Sequence, residues 1–157
     1  MVKNKMKRGL IIFLILQFSF LTSPAQNVRE VFKSMPDSLT PYLSMNNRLD
    51  MMDFMDAGMK AVVTNQLGGD TEMTFLSDDS LSVKMNETLL LDLKLQKQDT
   101  ATVVILKRTY LIQQGIQKSQ YEVVSQTFTS YWHPLSKPVV ESTLSRRDDE
   151  LKTLPHF

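Results

Sequence analysis

The sequence contains no cysteine and only two histidines among its 157 residues. Without cysteine the chain forms no disulfide, has no site for a lipid at a processed N-terminus, and lacks the usual ligands of a structural zinc site. The histidines, His133 and His156, are far apart in sequence, and we expect His133 to be an exposed loop residue. At most one histidine is then placed to act as a general base.

The common catalytic serine motifs and phosphate-binding motifs are missing as well. The sequence has neither the GxSxG nor the SxxK serine motif, and it has neither of the glycine patterns that hold phosphates, GxGxxG and GxxxxGK[ST]. A carboxylate pair for glycoside hydrolysis stays open as an alternative, because the sequence does not give the distance between two carboxylates. We therefore expect a non-enzymatic protein with no cofactor and no bound metal.

Residues 1–25 have the three parts of a secretory signal peptide. An apolar stretch begins at Leu10, and the small residues Ser23-Pro24-Ala25 supply a cleavage site before Gln26. The basic start consists of Lys3, Lys5, Lys7 and Arg8. An uncleaved membrane anchor is the alternative, but the apolar stretch is shorter than the ~20 residues of a membrane-spanning helix. We expect export to the periplasm or the cell exterior and no membrane span after cleavage.

Removal of residues 1–25 changes the net charge. It takes away four of the 18 Lys and Arg residues and none of the 17 Asp and Glu residues, so the charge falls from +1 to −3. An acidic chain without a basic stripe is a poor ligand for nucleic acid or for anionic lipid. Residues 26–157 are long enough for one domain with its own core. The tail after about residue 141 is either a flexible end or, over its charged stretch from Ser145 to Lys152, a short solvated helix.

Two amphipathic helices are predicted at the start of this domain. The first covers residues 27–35, with Asn27 as its N-cap, and the second covers about 47–59. Met51, Met55 and Met59 lie on the apolar side of the second helix. Such a methionine face either binds apolar ligands or partner segments or packs as core against a sheet.

The opposite side of the second helix carries Asp50, Asp53 and Asp56. Three carboxylates are oxygen ligands that suit a hard cation such as Ca²⁺. A straight helix spreads them over about a third of its circumference, so a solvated face is the favoured interpretation.

After the helices the apolar pattern changes to a period of two, which is typical of strands. Residues 60–67 and 70–76 are predicted to form a hairpin joined by a two-residue type I′ turn at Gly68-Gly69. Alternating strands then continue to about residue 132. Val103 to Leu106 is apolar on both sides, which favours a central strand covered on both faces.

These elements predict an α+β fold, with N-terminal helices packed on a six-strand antiparallel meander that forms a curved sheet or half-barrel. A possible edge strand lies near Val139-Val140. In the segment between the two helices, Leu39, Tyr42 and Leu43 are expected to be anchors beneath the surface.

An aromatic pair, Tyr131-Trp132, follows the last predicted strand. Aromatic rings at the end of a sheet can stack on sugars or peptides, or Trp132 can close the core. With Met51, Met55 and Met59, these two residues complete the candidate ligand-binding set.

The chain resembles an uncharacterised secreted-protein family of Bacteroidales over about residues 28–135. The resemblance rests on Met35 to Leu39, Asn47, Arg48, Asp50, Asp53-Phe54, Met59, Asn65, Leu67 to Gly69 and Tyr131-Trp132. This sequence departs from the family pattern at Lys94 to Lys97, and it lacks the cysteines of some relatives. The resemblance implies a location in the cell envelope and no particular activity.

Two functions remain open from the sequence. The first is a binding module that holds an apolar or amphiphilic small molecule, or a partner peptide, between the methionine face and a curved sheet. The second is a structural or assembly component of the cell envelope that pairs through an exposed sheet edge.

Overall fold

The structure, a computed structural model, describes residues 27–98, 101–113 and 119–146. This part of the chain forms two helices followed by seven strands: α1 Val28–Lys33, α2 Met45–Asp56, β1 Ala61–Thr64, β2 Asp70–Leu76, β3 Ser80–Asn86, β4 Leu89–Gln98, β5 Ala101–Gln113, β6 Ser119–Thr129 and β7 Val139–Arg146. The predicted signal peptide and His156 lie outside the described residues. Neither α1 nor α2 has the length and apolar content that crossing a membrane requires.

Side-chain and backbone caps set the bounds of α2. It begins at Met45 because the Ser44 hydroxyl accepts from the Asn47 N–H (3.1 Å) while the Asn47 side chain accepts from the Ser44 N–H (3.2 Å), a reciprocal cap. It ends at Asp56 because Gly58 takes a positive φ of 65°. The Met59 N–H then bonds to the Phe54 carbonyl at 2.9 Å, a Schellman ending. The predicted helix over 47–59 is therefore shifted, and Met59 lies beyond it.

The first hairpin is present, but its turn differs from the prediction. β1 ends at Thr64, and five residues, Asn65 to Gly69, connect it to β2. The Asn65 side-chain oxygen accepts from the N–H groups of Leu67 (2.9 Å) and Gly69 (3.2 Å), so a side chain organises the loop. Only Gly68 of the two glycines has a positive φ, +80°. The two-residue Gly68-Gly69 turn was therefore a wrong prediction.

The seven strands lie in the sheet in sequence order, and each neighbouring pair is antiparallel. The sheet is curved and does not close. Register shifts interrupt four of the six strand pairs, and such bulges bend a sheet. The predicted α+β meander is confirmed, with one correction: the possible edge strand near Val139-Val140 is a full seventh strand.

The core lies between the helices and one face of the sheet. Its largest fully buried residues include Phe32 of α1, Met51 of α2, and Leu91 and Leu93 of β4. In β5, the adjacent Val103 and Val104 are both buried. Because neighbouring residues of a strand point to opposite faces, β5 is covered on both sides there, as predicted.

Candidate functional site

The methionine face of α2 divides between core and solvent. Met51 is fully buried, Met55 is partly buried against the core, and Met59 is exposed after the end of the helix. Met51 and Met55 are therefore parts of the helix-to-sheet packing. Met59 takes no part in this packing.

The aspartate side of α2 makes an ion pair with α1. Both carboxylate oxygens of Asp56 accept from the guanidinium of Arg29, at 2.7 and 2.9 Å. Asp50 and Asp53 are exposed. Within residues 27–98, 101–113 and 119–146, no three acidic or histidine residues are grouped in a way that would hold a metal ion.

Tyr131 and Trp132 have different environments. Trp132 is buried, with its ring centroid 5.5 Å from that of Phe128, and its indole N–H donates to the Val31 carbonyl at 3.1 Å. Tyr131 is 77% exposed. The Thr129 hydroxyl accepts from the N–H groups of Tyr131 (3.3 Å) and His133 (3.1 Å), which fixes this turn. His133 is exposed there, as predicted.

A buried arginine, Arg48, makes hydrogen bonds to the segment between the two helices. Arg48 of α2 is 3% exposed. Its guanidinium donates to the Thr40 hydroxyl at 2.7 Å, and to the Leu43 and Lys33 carbonyls at 3.3 Å each. Its Nε has no hydrogen-bond partner. Burial lowers the pKa of Arg48 from its ordinary value, and the carboxylate of Asp37, 3.6 Å away, opposes that shift.

The same segment contains a strained tyrosine. The Leu43 N–H bonds to the Thr40 carbonyl at 3.2 Å, Pro41 follows Thr40, and Tyr42 has a φ of +75°. These are the features of a type II turn, whose third position is normally glycine or asparagine because it needs a positive φ. A tyrosine therefore occupies a position that disfavours a bulky side chain. Tyr42 was expected beneath the surface, and that prediction was wrong: its side chain is 41% exposed.

The strained turn is bonded to the β1–β2 loop. The Gln66 N–H donates to the Tyr42 carbonyl at 2.9 Å, and the Asn47 side chain donates to the Thr64 carbonyl at 3.2 Å. Within the loop, the Asn65 amide donates to the hydroxyl of Thr71 (3.2 Å). The buried Thr71 hydroxyl in turn donates to the Met85 carbonyl at 2.9 Å. The loop is thereby fixed to β2 and β3.

Three large apolar residues are exposed on these joined segments. Tyr42 is 41%, Met45 49% and Leu67 71% exposed. We call these three residues the Tyr42 surface. The sequence pattern did not predict this surface, although Pro41 marks the turn. The hydrogen bonds of Tyr42, Asn47 and Asn65 fix the backbone of these segments, so the Tyr42 surface is preorganised for binding.

The fold and the Tyr42 surface together define a class of protein: a small α+β protein with an open, curved meander and an apolar surface formed by two hydrogen-bonded loops and the start of α2. Within that class, the chain belongs to the family described as "Protein of unknown function (DUF3256)", whose model matches residues 20–152. The predicted kinship with a family of unknown function is confirmed at this level. No curated protein matches the chain.

A solved structure has a similar fold. It is a domain of an uncharacterized protein from Porphyromonas gingivalis W83, 18% identical in sequence, with a TM-score of 0.54. The match covers 70% of this chain and 54% of that chain, so this chain corresponds to about half of the solved one. At this identity the likeness concerns the fold alone. It agrees with the predicted link to Bacteroidales.

Proposed function

We propose that this chain is an exported, non-enzymatic protein whose Tyr42 surface binds an apolar segment of a partner polypeptide. The observation that carries the proposal is Tyr42 itself, a partly exposed aromatic residue in a backbone conformation that favours glycine. Export rests on the signal-like pattern of residues 1–25.

The strain at Tyr42 supports a role beyond folding. A non-glycine residue in the left-handed region costs on the order of 1–3 kcal/mol, and such residues concentrate at functional sites. Asparagine or glycine at this position would form the same type II turn at lower cost. The Tyr42 side chain is 41% exposed, so its ring is available for a contact outside the molecule.

The rigidity of the surface supports binding for a second reason. Association has to overcome the entropy lost when loops become ordered. Here the Gln66-to-Tyr42 backbone bond and the Asn65 side-chain bonds already order both loops. Tyrosine and methionine are also enriched at protein interfaces relative to the rest of the surface.

The exposure of these residues favours a polypeptide over an enclosed small molecule. Small-molecule sites are concave and bury most of the ligand, whereas Leu67 projects from a loop and is 71% exposed. The first alternative from the sequence placed a ligand under the methionine face of α2. Met51 on that face is fully buried in the core, which makes this alternative the weaker one.

The edges of the sheet weigh against assembly by strand pairing. At β1, the Val62 N–H bonds to the Lys60 carbonyl (3.1 Å), and the Thr64 carbonyl accepts from Asn47. At β7, two residues of the strand oppose one residue of β6 between Glu141 and Leu144. Capped groups and bulges both protect a sheet edge from adding a further strand. An envelope component that assembles through these edges is therefore the second choice.

Site-specific photo-cross-linking in the bacterium that makes the protein tests the proposal. A photoreactive residue replaces Leu67 in one strain and Ile112, an exposed aliphatic residue of β5, in the control strain. We expect a discrete, heavier protein product from position 67 that disappears when Tyr42→Asn is added, and no such product from position 112. A product that survives Tyr42→Asn, or the same product from both positions, would contradict the proposal.

A further inference from the structure

The charged residues within the two segments that carry the Tyr42 surface are of one sign. Its two segments, residues 34–47 and 64–71, contain two aspartates, Asp37 and Asp70, and no lysine or arginine. Two cations border these segments in sequence: Lys33 is half-buried, and Arg48 is 3% exposed. Arg108 of β5, also half-buried, donates to the Leu39 carbonyl at 3.3 Å. The charge that these two segments present to solvent is therefore negative.

Both aspartates belong to the segments that carry the apolar residues. An oxygen of Asp37 lies 3.6 Å from the Arg48 Nη1, which also donates to the carbonyl of Leu43, the residue after Tyr42. Asp70 follows the loop that carries Leu67 and pairs with Thr64 of β1. The side chain of Asp37 is 86% exposed, and Asp70 is exposed as well, so both carboxylates face solvent.

We infer that the partner segment combines apolar residues with lysine or arginine on its flanks. This inference rests on the proposed function and names the chemistry of the partner. Complementary charges at the rim of an interface speed association and reject partners of the wrong sign. Asp37 also keeps capacity for a second cation, because its only described partner, Arg48, is 3.6 Å away, longer than a charge-assisted hydrogen bond.

The partner's apolar residues cover the three residues of the Tyr42 surface, and its cations lie toward Asp37 and Asp70. Exposed charges act over a Debye length of about 8 Å at physiological salt. A flanking lysine therefore gains attraction without a fixed ion-pair geometry. An acidic flank meets repulsion from both carboxylates.

Matched peptides test this inference. Peptides that bind the protein, expressed from its full-length sequence, are selected from a random display library. One selected apolar core is then synthesised with lysine flanks and with glutamate flanks. We expect the lysine form to bind at least about fivefold more tightly at low salt, and the difference to shrink as salt rises. In the Asp37→Lys/Asp70→Lys variant the preference should reverse.

The controls separate this inference from the proposed function. If both peptides bind equally and Tyr42→Asn abolishes binding of both, the Tyr42 surface stands and the charge inference is overturned. If the lysine preference persists in the reversed-charge variant, the inference is also overturned. If the double variant does not fold, Asp70→Lys alone replaces it, because this variant leaves the contact between Asp37 and Arg48 in place. It should reduce the preference for the lysine-flanked peptide. Failure of every peptide to bind overturns both claims.

Discussion

The indole N–H of Trp132 donates to the backbone carbonyl of Val31 over 3.1 Å, joining residues 101 positions apart in the sequence. Trp132 does so from a left-handed backbone conformation, with a φ of +65°. Its ring also packs near that of Phe128, with a tilt of 59° between the ring planes. The turn after β6 is thereby fixed to α1 and closes one side of the core.

Substitution of Trp132 tests this closure. Trp132→Ala should lower the free energy of unfolding by about 3–5 kcal/mol through lost burial and a cavity. Trp132→Phe should cost less, because it keeps an apolar ring and mainly loses the hydrogen bond, on the order of 1 kcal/mol. Urea unfolding of both variants measures the difference. Tyr131→Ala, next in sequence but exposed, is the control and should stay within about 0.5 kcal/mol of the parent.

Arg48 provides a second contrast. Arg48→Met removes the donor to the Thr40 hydroxyl and to the carbonyls of Leu43 and Lys33, and each buried group left without a partner costs about 1–3 kcal/mol. Asp37→Asn removes only a distant, exposed partner and should change stability by less than about 1 kcal/mol. Thermal melts compare the two. Equal effects would contradict the role of Arg48 as the residue that holds the 34–44 segment.

The methionines of α2 and its end are predicted to behave differently. Met51→Ala should cost about 2–5 kcal/mol, since Met51 is fully buried in the core. Met59→Ala should stay within about 0.5 kcal/mol, because Met59 is exposed beyond the helix. Chemical unfolding checks both values. If Met51→Ala left the free energy of unfolding unchanged, the methionine face of α2 would not be packed in the core. The alternative of an enclosed ligand under that face would then regain support.

The strain at Tyr42 predicts a difference between two small substitutions. Asparagine tolerates a positive φ better than alanine does. Tyr42→Asn should therefore be more stable than Tyr42→Ala by on the order of 1 kcal/mol, although both remove the ring. Differential scanning calorimetry of the two variants measures this. Equal melting temperatures would mean that the backbone at position 42 is not strained.

Regular elements were the part of the fold that the sequence predicted best. β2 was predicted over the same residues, 70–76, that the structure shows, because its alternating side chains meet a core on one face. β5 was predicted as a covered central strand because adjacent apolar residues such as Val103 and Val104 leave no solvent face. Both patterns depend on periodicity, which a sequence displays directly.

The loops could not be predicted in the same way. The Gly68-Gly69 pair suggested a two-residue turn, but Asn65 bonds to backbone groups two and four residues ahead and makes the loop longer. Tyr42 was expected to be an anchor beneath the surface, but the type II turn and the bond from the Gln66 N–H to its carbonyl leave its side chain partly exposed. The bond between Gln66 and Tyr42 joins segments that are distant in sequence. The Tyr42 surface therefore emerged only from the structure.

The most direct test of the Tyr42 surface is the affinity of one peptide for four proteins, measured by isothermal titration calorimetry. The peptide is the tightest binder selected from a random display library against the parent protein. We expect Tyr42→Asn and Leu67→Lys each to weaken binding at least tenfold, about 1.4 kcal/mol, and Ile112→Lys to leave the affinity of the parent unchanged. Equal affinity for all four proteins, or a loss only with Ile112→Lys, would contradict the assignment of the Tyr42 surface as the binding site.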